Sequence, residues 1–269
     1  MIIQVYNEWD HKPKAQAEGL AQAVLAWDGE YRKGDVIEFS GLEPDRFYMV
    51  KVDAAIEESL VLIRKDTVLY TVPFYEKKTS YNPLAFFGSR HYLSIRYAED
   101  YEVEHYRNLA LNPFDQHEES GVYPHASANV ETRGEAVFAA RNAIDGVLSN
   151  AGHGEWPYES WGINRQDDAA LTLDFGRSVD IDLIKLYTRA DFPHDNWWVR
   201  GTLVFSDGSV MDLPMEKKTQ EPHVFPLPEI KKGITWVRLE ELIKADDPSP
   251  FPALTQIEVY GTESRKQRS

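Results

Sequence analysis

Two stretches of this chain place indoles, imidazoles, guanidinium groups and carboxylates close together. One runs His153-Gly154-Glu155-Trp156-Pro157-Tyr158-Glu159-Ser160-Trp161-Gly162-Ile163-Asn164-Arg165. The other runs Arg189-Ala190-Asp191-Phe192-Pro193-His194-Asp195-Asn196-Trp197-Trp198. The mixture suits sugar recognition, in which an aromatic ring covers the apolar face of the sugar while planar donors and acceptors take its hydroxyls. Trp156, Trp161 and Trp197 are the candidate platforms, and Arg189, Asp191, His194 and Asn196 the candidate polar contacts. Arg189 would offer a bidentate fork to hydroxyls or to a carboxylate. Trp197 and Trp198 are adjacent, so on an extended chain one can enter the core while the other lines a cleft. Arg133 and His125 are further candidates. Blander roles stay open beside these. Indoles in β-sandwiches are commonly core, and an Asp-Asn-Trp loop can satisfy its own backbone.

The same residues allow a catalytic alternative. Asp191, His194 and Asp195 could serve as acid and base of a hydrolase or lyase, Asp191 and His194 foremost, with Glu155 or Glu159 as partners. Glycoside hydrolysis requires two carboxyls at a set separation, and lyase chemistry a base beside an acidic carbon. Sequence spacing fixes neither distance. The chain has no Gly-x-Ser-x-Gly, no His-Glu-x-x-His and no phosphate loop. A third reading is a structural module for protein interaction, with no ligand site.

Composition narrows the partners. A net charge of −15 repels a phosphate backbone, so no nucleic acid partner is expected. The absence of cysteine excludes disulfides, thiolate metal sites and a cysteine nucleophile. The first ten residues are too acidic and too short in apolar run for a secretory leader, and no stretch approaches the roughly 18 apolar residues of a membrane span. A cytoplasmic location is the expectation.

The elements that must position these residues read as strands. Residues 47–53 alternate, with Tyr48, Val50 and Val52 on one side, and residues 91–97 alternate with Leu93, Ile95 and Tyr97. Period two marks a strand with one buried face. Further strands are expected at 36–39, 60–63, 68–72, 170–175, 181–188, 201–205, 210–213, 235–239 and 255–260, with Ser206-Asp207-Gly208-Ser209 as a hairpin turn. Residues 14–27 favour helix by propensity, but Gly19 interrupts them and Asp28-Gly29 follows, so 22–27 is read as a strand. Val137, Ala140, Ala143 and Ile144 suit a short helix over 135–144. The long aperiodic segment 147–168 has the length of a functional loop.

The second half resembles the F5/8 type C (discoidin) family, which has a galactose-binding-like fold. The resemblance covers 108–263 and rests on separated motifs in family order: Asn108-Leu109-Ala110, Asn142-Ala143-Ile144-Asp145-Gly146, Trp161, Leu171-Thr172-Leu173-Asp174-Phe175-Gly176 and Ile257-Glu258-Val259-Tyr260-Gly261. The loop before Trp161 is longer than the family pattern. The resemblance implies a binding module whose ligand loops cluster at one end of a sandwich, where 189–198 would lie. It also implies a structural calcium where the helix-turn motif meets the closing strand, which points to Asp145 and Glu258. A hard cation needs about six to eight oxygens, and Val147-Leu148-Ser149 does not carry the family's usual run of ligands.

The expectation is therefore an all-β protein of two jelly-roll-like β-sandwich domains: an N-terminal one over 1–104, a galactose-binding-like one over 105–263 and a disordered tail over 264–269. Its expected function is non-catalytic binding of a saccharide by the loops at one end of the second sandwich. The first domain either shapes that end or mediates self-association as a homo-oligomer.

Overall fold

The computed structural model describes residues 1–118, 120–150, 152, 154, 156–190 and 195–264. The chain is nearly all β and forms two sandwiches. The first is built from β1 (Ile2–Asn7), β2 (Pro13–Glu18), β3 (Gln22–Asp28), β4 (Asp35–Ser40), β5 (Arg46–Lys51), β6 (Ser59–Ile63), β7 (Thr67–Thr71) and β8 (Arg90–Tyr97). One sheet has the order β2-β1-β4-β7. The facing sheet runs β6-β5-β8-β3 and gains β10 (Val122–Tyr123) on its β6 edge. Alternation does the work here. Tyr48, Val50, Leu93 and Ile95 point inward to meet Ile3, Val5, Ile37, Phe39 and Tyr70 from the other sheet. Residues 14–18, from the stretch that favours helix by propensity, are instead held as a strand by β1, because pairing there outweighs a weak local preference.

A short helix, α1 (Asp100–Glu104), leads to β9 (Arg107–Asn108), which pairs with the closing strand of the second sandwich. The chain then weaves between the two bodies. Leu109 and Ala110 enter the second core, Phe114 and Val122 enter the first, and β11 (His125–Ala128) returns to the second. Asp115 fastens the crossing, with His125 Nδ1 2.8 Å from one carboxylate oxygen and the Ala126 N–H donating to the other at 3.0 Å.

The second sandwich holds β12 (Trp161–Gly162), β13 (Leu171–Arg189), β14 (Trp198–Phe205), β15 (Val210–Pro214), β16 (His223–Lys244) and β17 (Ala253–Glu263), hydrogen-bonded in the order β12-β17-β13-β16-β14-β15. Two strands are far longer than their sequence pattern indicates. β13 bends at a register break between Asp174 and Val179, so that its first part pairs with β11 and its last part with β17. Gly176 sits at the bend with φ +66°, and a Cβ there would lie 2.3 Å from the Tyr123 ring. Ile181, Ile184, Leu186, Val237, Ile257 and Val259 fill the core around Trp161 and Trp198.

The helix expected over 135–144 is replaced by 3₁₀ turns at Thr132–Gly134, Ala136–Phe138 and Ala140–Ile144. Glu135 and Ala139 are extended, which interrupts any α ladder, and the Asn142 side chain donates to the Ala136 carbonyl at 2.8 Å. No helix among the described residues is long and apolar enough to cross a membrane. Residues 265–269 of the expected tail lie outside the described residues.

Candidate ligand site

The described parts of the two aromatic-rich stretches meet at one tip of the second sandwich, and Arg189 is where they join. It is the last residue of β13, held by pairing with Ala253 of β17. Its side chain is buried and forks onto Asp195, with Nε donating to Oδ2 at 3.1 Å and Nη2 to Oδ1 at 3.2 Å. Nη1 donates to the Tyr158 carbonyl at 3.2 Å, and the guanidinium lies 4.5 Å from the centre of the Tyr158 ring. A planar cation that bonds edge-on and stacks face-on orients its neighbours as well as neutralising them.

Around this anchor lies a cavity of about 220 Å³. Phe138 and Tyr158 pack edge to face at 5.9 Å on one side, and Phe251 lies on another. Arg165 stacks on Phe251 with its guanidinium 4.6 Å from the ring centre. Arg133 lies 5.8 Å from the Phe138 ring and forks onto Glu135 at 2.6 and 2.7 Å. Three non-glycine residues at this mouth, Arg133, Asn164 and Arg165, have positive φ of 54°, 49° and 62°. Each costs about 1–3 kcal/mol outside glycine, so surrounding contacts must hold them. The Asn164 N–H donates to Thr132 Oγ1 at 3.0 Å, which ties two of the three loops together.

The remaining expected residues have other places. Trp161 is fully buried, its indole N–H donating to the Val130 carbonyl at 2.9 Å, and it packs 6.4 Å from Trp198 in the core. Asn196 is also fully buried. Its amide donates to the carbonyls of Ala245 and Ser249 at 3.2 and 2.7 Å, and its N–H to that of Phe251 at 3.3 Å. It therefore sets the position of Phe251 without reaching the cavity. Trp197 is half-buried, with Lys217 Nζ 5.0 Å from its ring centre. Trp156 lines a different cavity, between the two sandwiches. His125 is buried against Asp115. Asp191 and His194 lie outside the described residues. Phe138 and Phe251 are the aromatic lining that sequence reasoning missed. The Ser-Pro-Phe-Pro run at 249–252, an aromatic clamped between prolines in a loop, was the available signal.

Asp145 and Glu258 do not fit a shared hard cation. Asp145 Oδ1 already accepts from the Gln256 amide at 2.7 Å and from the Val147 N–H at 2.9 Å. The same Gln256 nitrogen donates to the Asn142 carbonyl at 2.6 Å. An amide N–H₂ thus bridges the carbonyl and carboxylate that a metal would need. Glu258 Oε2 lies 3.5 Å from Lys185 Nζ, an ion pair without a hydrogen bond. Among the described residues no group of three or more His, Cys, Asp and Glu could hold a metal. Burial pushes the Asp145 carboxyl well above its ordinary range, and the Glu159 charge adds to this. Burial likewise raises Glu159, against hydrogen bonds that favour its charged form.

A family described as "Domain of unknown function (DUF7402)" matches residues 122–244. No curated protein matches the chain. Among solved structures, chitosan-binding module 1 from a Paenibacillus sp. IK-5 chitosanase/glucanase is 20% identical with a TM-score of 0.40, covering 57% of this chain and 98% of its own. The family 32 carbohydrate-binding module of C. perfringens NanJ, solved with galactose, is 16% identical with a TM-score of 0.37 over 50% of this chain and 91% of its own. The lectin domain of Lectinolysin, solved with Lewis B antigen, is 20% identical with a TM-score of 0.42 over 58% of this chain and 96% of its own.

Proposed function

We propose that the tip of the second sandwich binds a saccharide without transforming it. The observation that carries this reading is the pairing of an aromatic lining with a fixed cation: Phe138, Tyr158 and Phe251 around the buried Arg189 guanidinium. Sugars present apolar C–H faces and a rim of hydroxyls, and this cavity offers a surface for each. Arg189 uses three of its five N–H bonds on Asp195 and Tyr158 among the described residues, which leaves donors for a ligand. Arg165 stands at the mouth in no ion pair with a described residue and adds a preference for sugars that carry an acidic group. A cavity of about 220 Å³ is below the roughly 300–1,000 Å³ of drug-sized pockets and suits one terminal sugar unit.

The test is calorimetric titration of the full chain with neutral and uronic monosaccharides, repeated on Tyr158→Ala and Phe251→Ala. Each variant should weaken binding about tenfold, from lost ring area and stacking. No saturable binding across the panel, or unchanged affinity in both variants, would refute the proposal.

A further inference from the structure

A second cavity, of about 250 Å³, lies between the two sandwiches and shares no lining residue with the first. The first sandwich contributes Ile56, Glu57 and Tyr81, and the second contributes Arg141, Asp145, Trp156 and Glu159. Glu159 is only 2% exposed. Its Oε2 accepts the Tyr158 N–H at 2.8 Å, but its Oε1 is buried with no hydrogen-bond partner. As a carboxylate that oxygen lacks a donor, and as an acid it lacks an acceptor. A buried polar atom in this state marks a missing group.

Charge identifies the group. Three carboxylates line the cavity and one guanidinium faces them. That guanidinium is partly engaged elsewhere: Arg141 Nε donates to the Asp115 carbonyl at 2.8 Å, Nη1 donates to Asn142 Oδ1 at 2.9 Å, and its central carbon lies 4.6 Å from the Tyr81 ring centre. Among the described residues neither Asp145 nor Glu159 forms an ion pair within 4.0 Å. One guanidinium thus faces three carboxyls, and Glu159 Oε1 still lacks a donor. A divalent metal is disfavoured, because a hard cation takes about six to eight oxygens and among the described residues no group of three or more His, Cys, Asp and Glu could hold one. An ammonium group is compact, brings three donors and tolerates the neighbouring indole of Trp156.

We propose that the cavity between the sandwiches binds a small primary ammonium compound, with the Glu159 carboxylate as its main acceptor and Trp156 against its aliphatic part. Both sandwiches wall the cavity, so occupancy also braces one against the other. This site is independent of the saccharide reading and stands or falls separately.

The experiment is calorimetric titration of the full chain with ethanolamine hydrochloride and with ethylene glycol, which replaces the ammonium by a hydroxyl. Ethanolamine should bind saturably and about tenfold or more tighter than ethylene glycol, as a charged hydrogen bond in a desolvated site requires. Glu159→Gln keeps the shape and the acceptor for Tyr158 and should cost about the same factor. Asp145→Asn serves as a second variant, expected to weaken ethanolamine and not ethylene glycol. Equal binding of the two probes, no saturable binding of ethanolamine, or full affinity in both folded variants would overturn the proposal.

Discussion

Asp195→Asn is the sharpest test of how the tip is built. The Arg189–Asp195 pair is almost fully removed from water, with side-chain exposures of 5% and 0%. Two near-parallel bonds of 3.1 and 3.2 Å join the groups, and Arg189 passes the constraint on to Tyr158. Replacing the carboxylate by an amide keeps the shape and leaves a buried guanidinium without its countercharge. Breaking such a pair from one side costs about 3–5 kcal/mol. For a body of this size each kcal/mol is worth about 2–4 °C, so the melting temperature should fall by roughly 6–20 °C. Calorimetric melting of wild type and variant reads this directly. The double change Arg189→Met with Asp195→Leu removes both charges, and it should recover most of the loss because the desolvation penalty disappears with the pair. A fall of less than about 2 °C in the single variant would refute the view that the pair is a buried structural anchor, as would a double variant as unstable as the single one.

Three other outcomes follow from the groups around Asp145. The Asp145 and Glu159 carboxyls are raised in the folded chain from ordinary values of 3.8 and 4.5, so the folded state binds more protons than the unfolded state above those values. Their contribution is therefore fully present at acid pH and is lost as pH rises through the folded values; the gap in stability between wild type and Glu159→Gln should shift in the variant's favour from pH 5 to pH 8 in denaturant titrations, by about 1.4 kcal/mol per pH unit for each proton by which the folded and unfolded states differ. Gln256→Glu removes the amide that bridges Asn142 and Asp145 and sets two carboxylates together, at a cost of about 2 kcal/mol or more in urea unfolding; wild-type melting should move by less than about 1 °C with added calcium chloride or chelator.

Much of the sandwich architecture was legible because burial imposes period two. Tyr48, Val50, Leu93 and Ile95 alternate in sequence and are all buried in the first core. The turn at 206–209 was equally legible, since Val204 pairs with Val210 across it and Asp207 Oδ1 accepts the Ser209 N–H at 2.9 Å. The full length of β13 and β16 was not. Register shifts and Gly176 break the alternation in β13, and Gly233 with φ +72° interrupts β16, so each reads as separate pieces. The site was legible only in part. The joining of 158 to 189 follows from composition, but Phe138 and Phe251 come from distant loops. Phe251 is held at the cavity in part by Asn196, which is buried and bonded to the backbone of 245, 249 and 251. Indoles were the louder signal, but Trp161 and Trp198 went to the core, since an apolar interior rewards the largest ring most, and Trp156 lines the other cavity.

The crossing segment between β9 and β11 makes the two bodies hard to separate by cloning. A fragment cut at residue 105 would strip the first sandwich of Phe114 and of the added edge strand at Val122, leaving Ile63 and Leu62 unpaired on their outer edge. A fragment begun at 122 would lose Asn108, whose side chain accepts the Val259 N–H at 3.0 Å on the closing strand. Whatever acts on one half by pulling, cutting or wedging is thus felt by the other, and the protein behaves mechanically as a laced pair rather than as beads on a string.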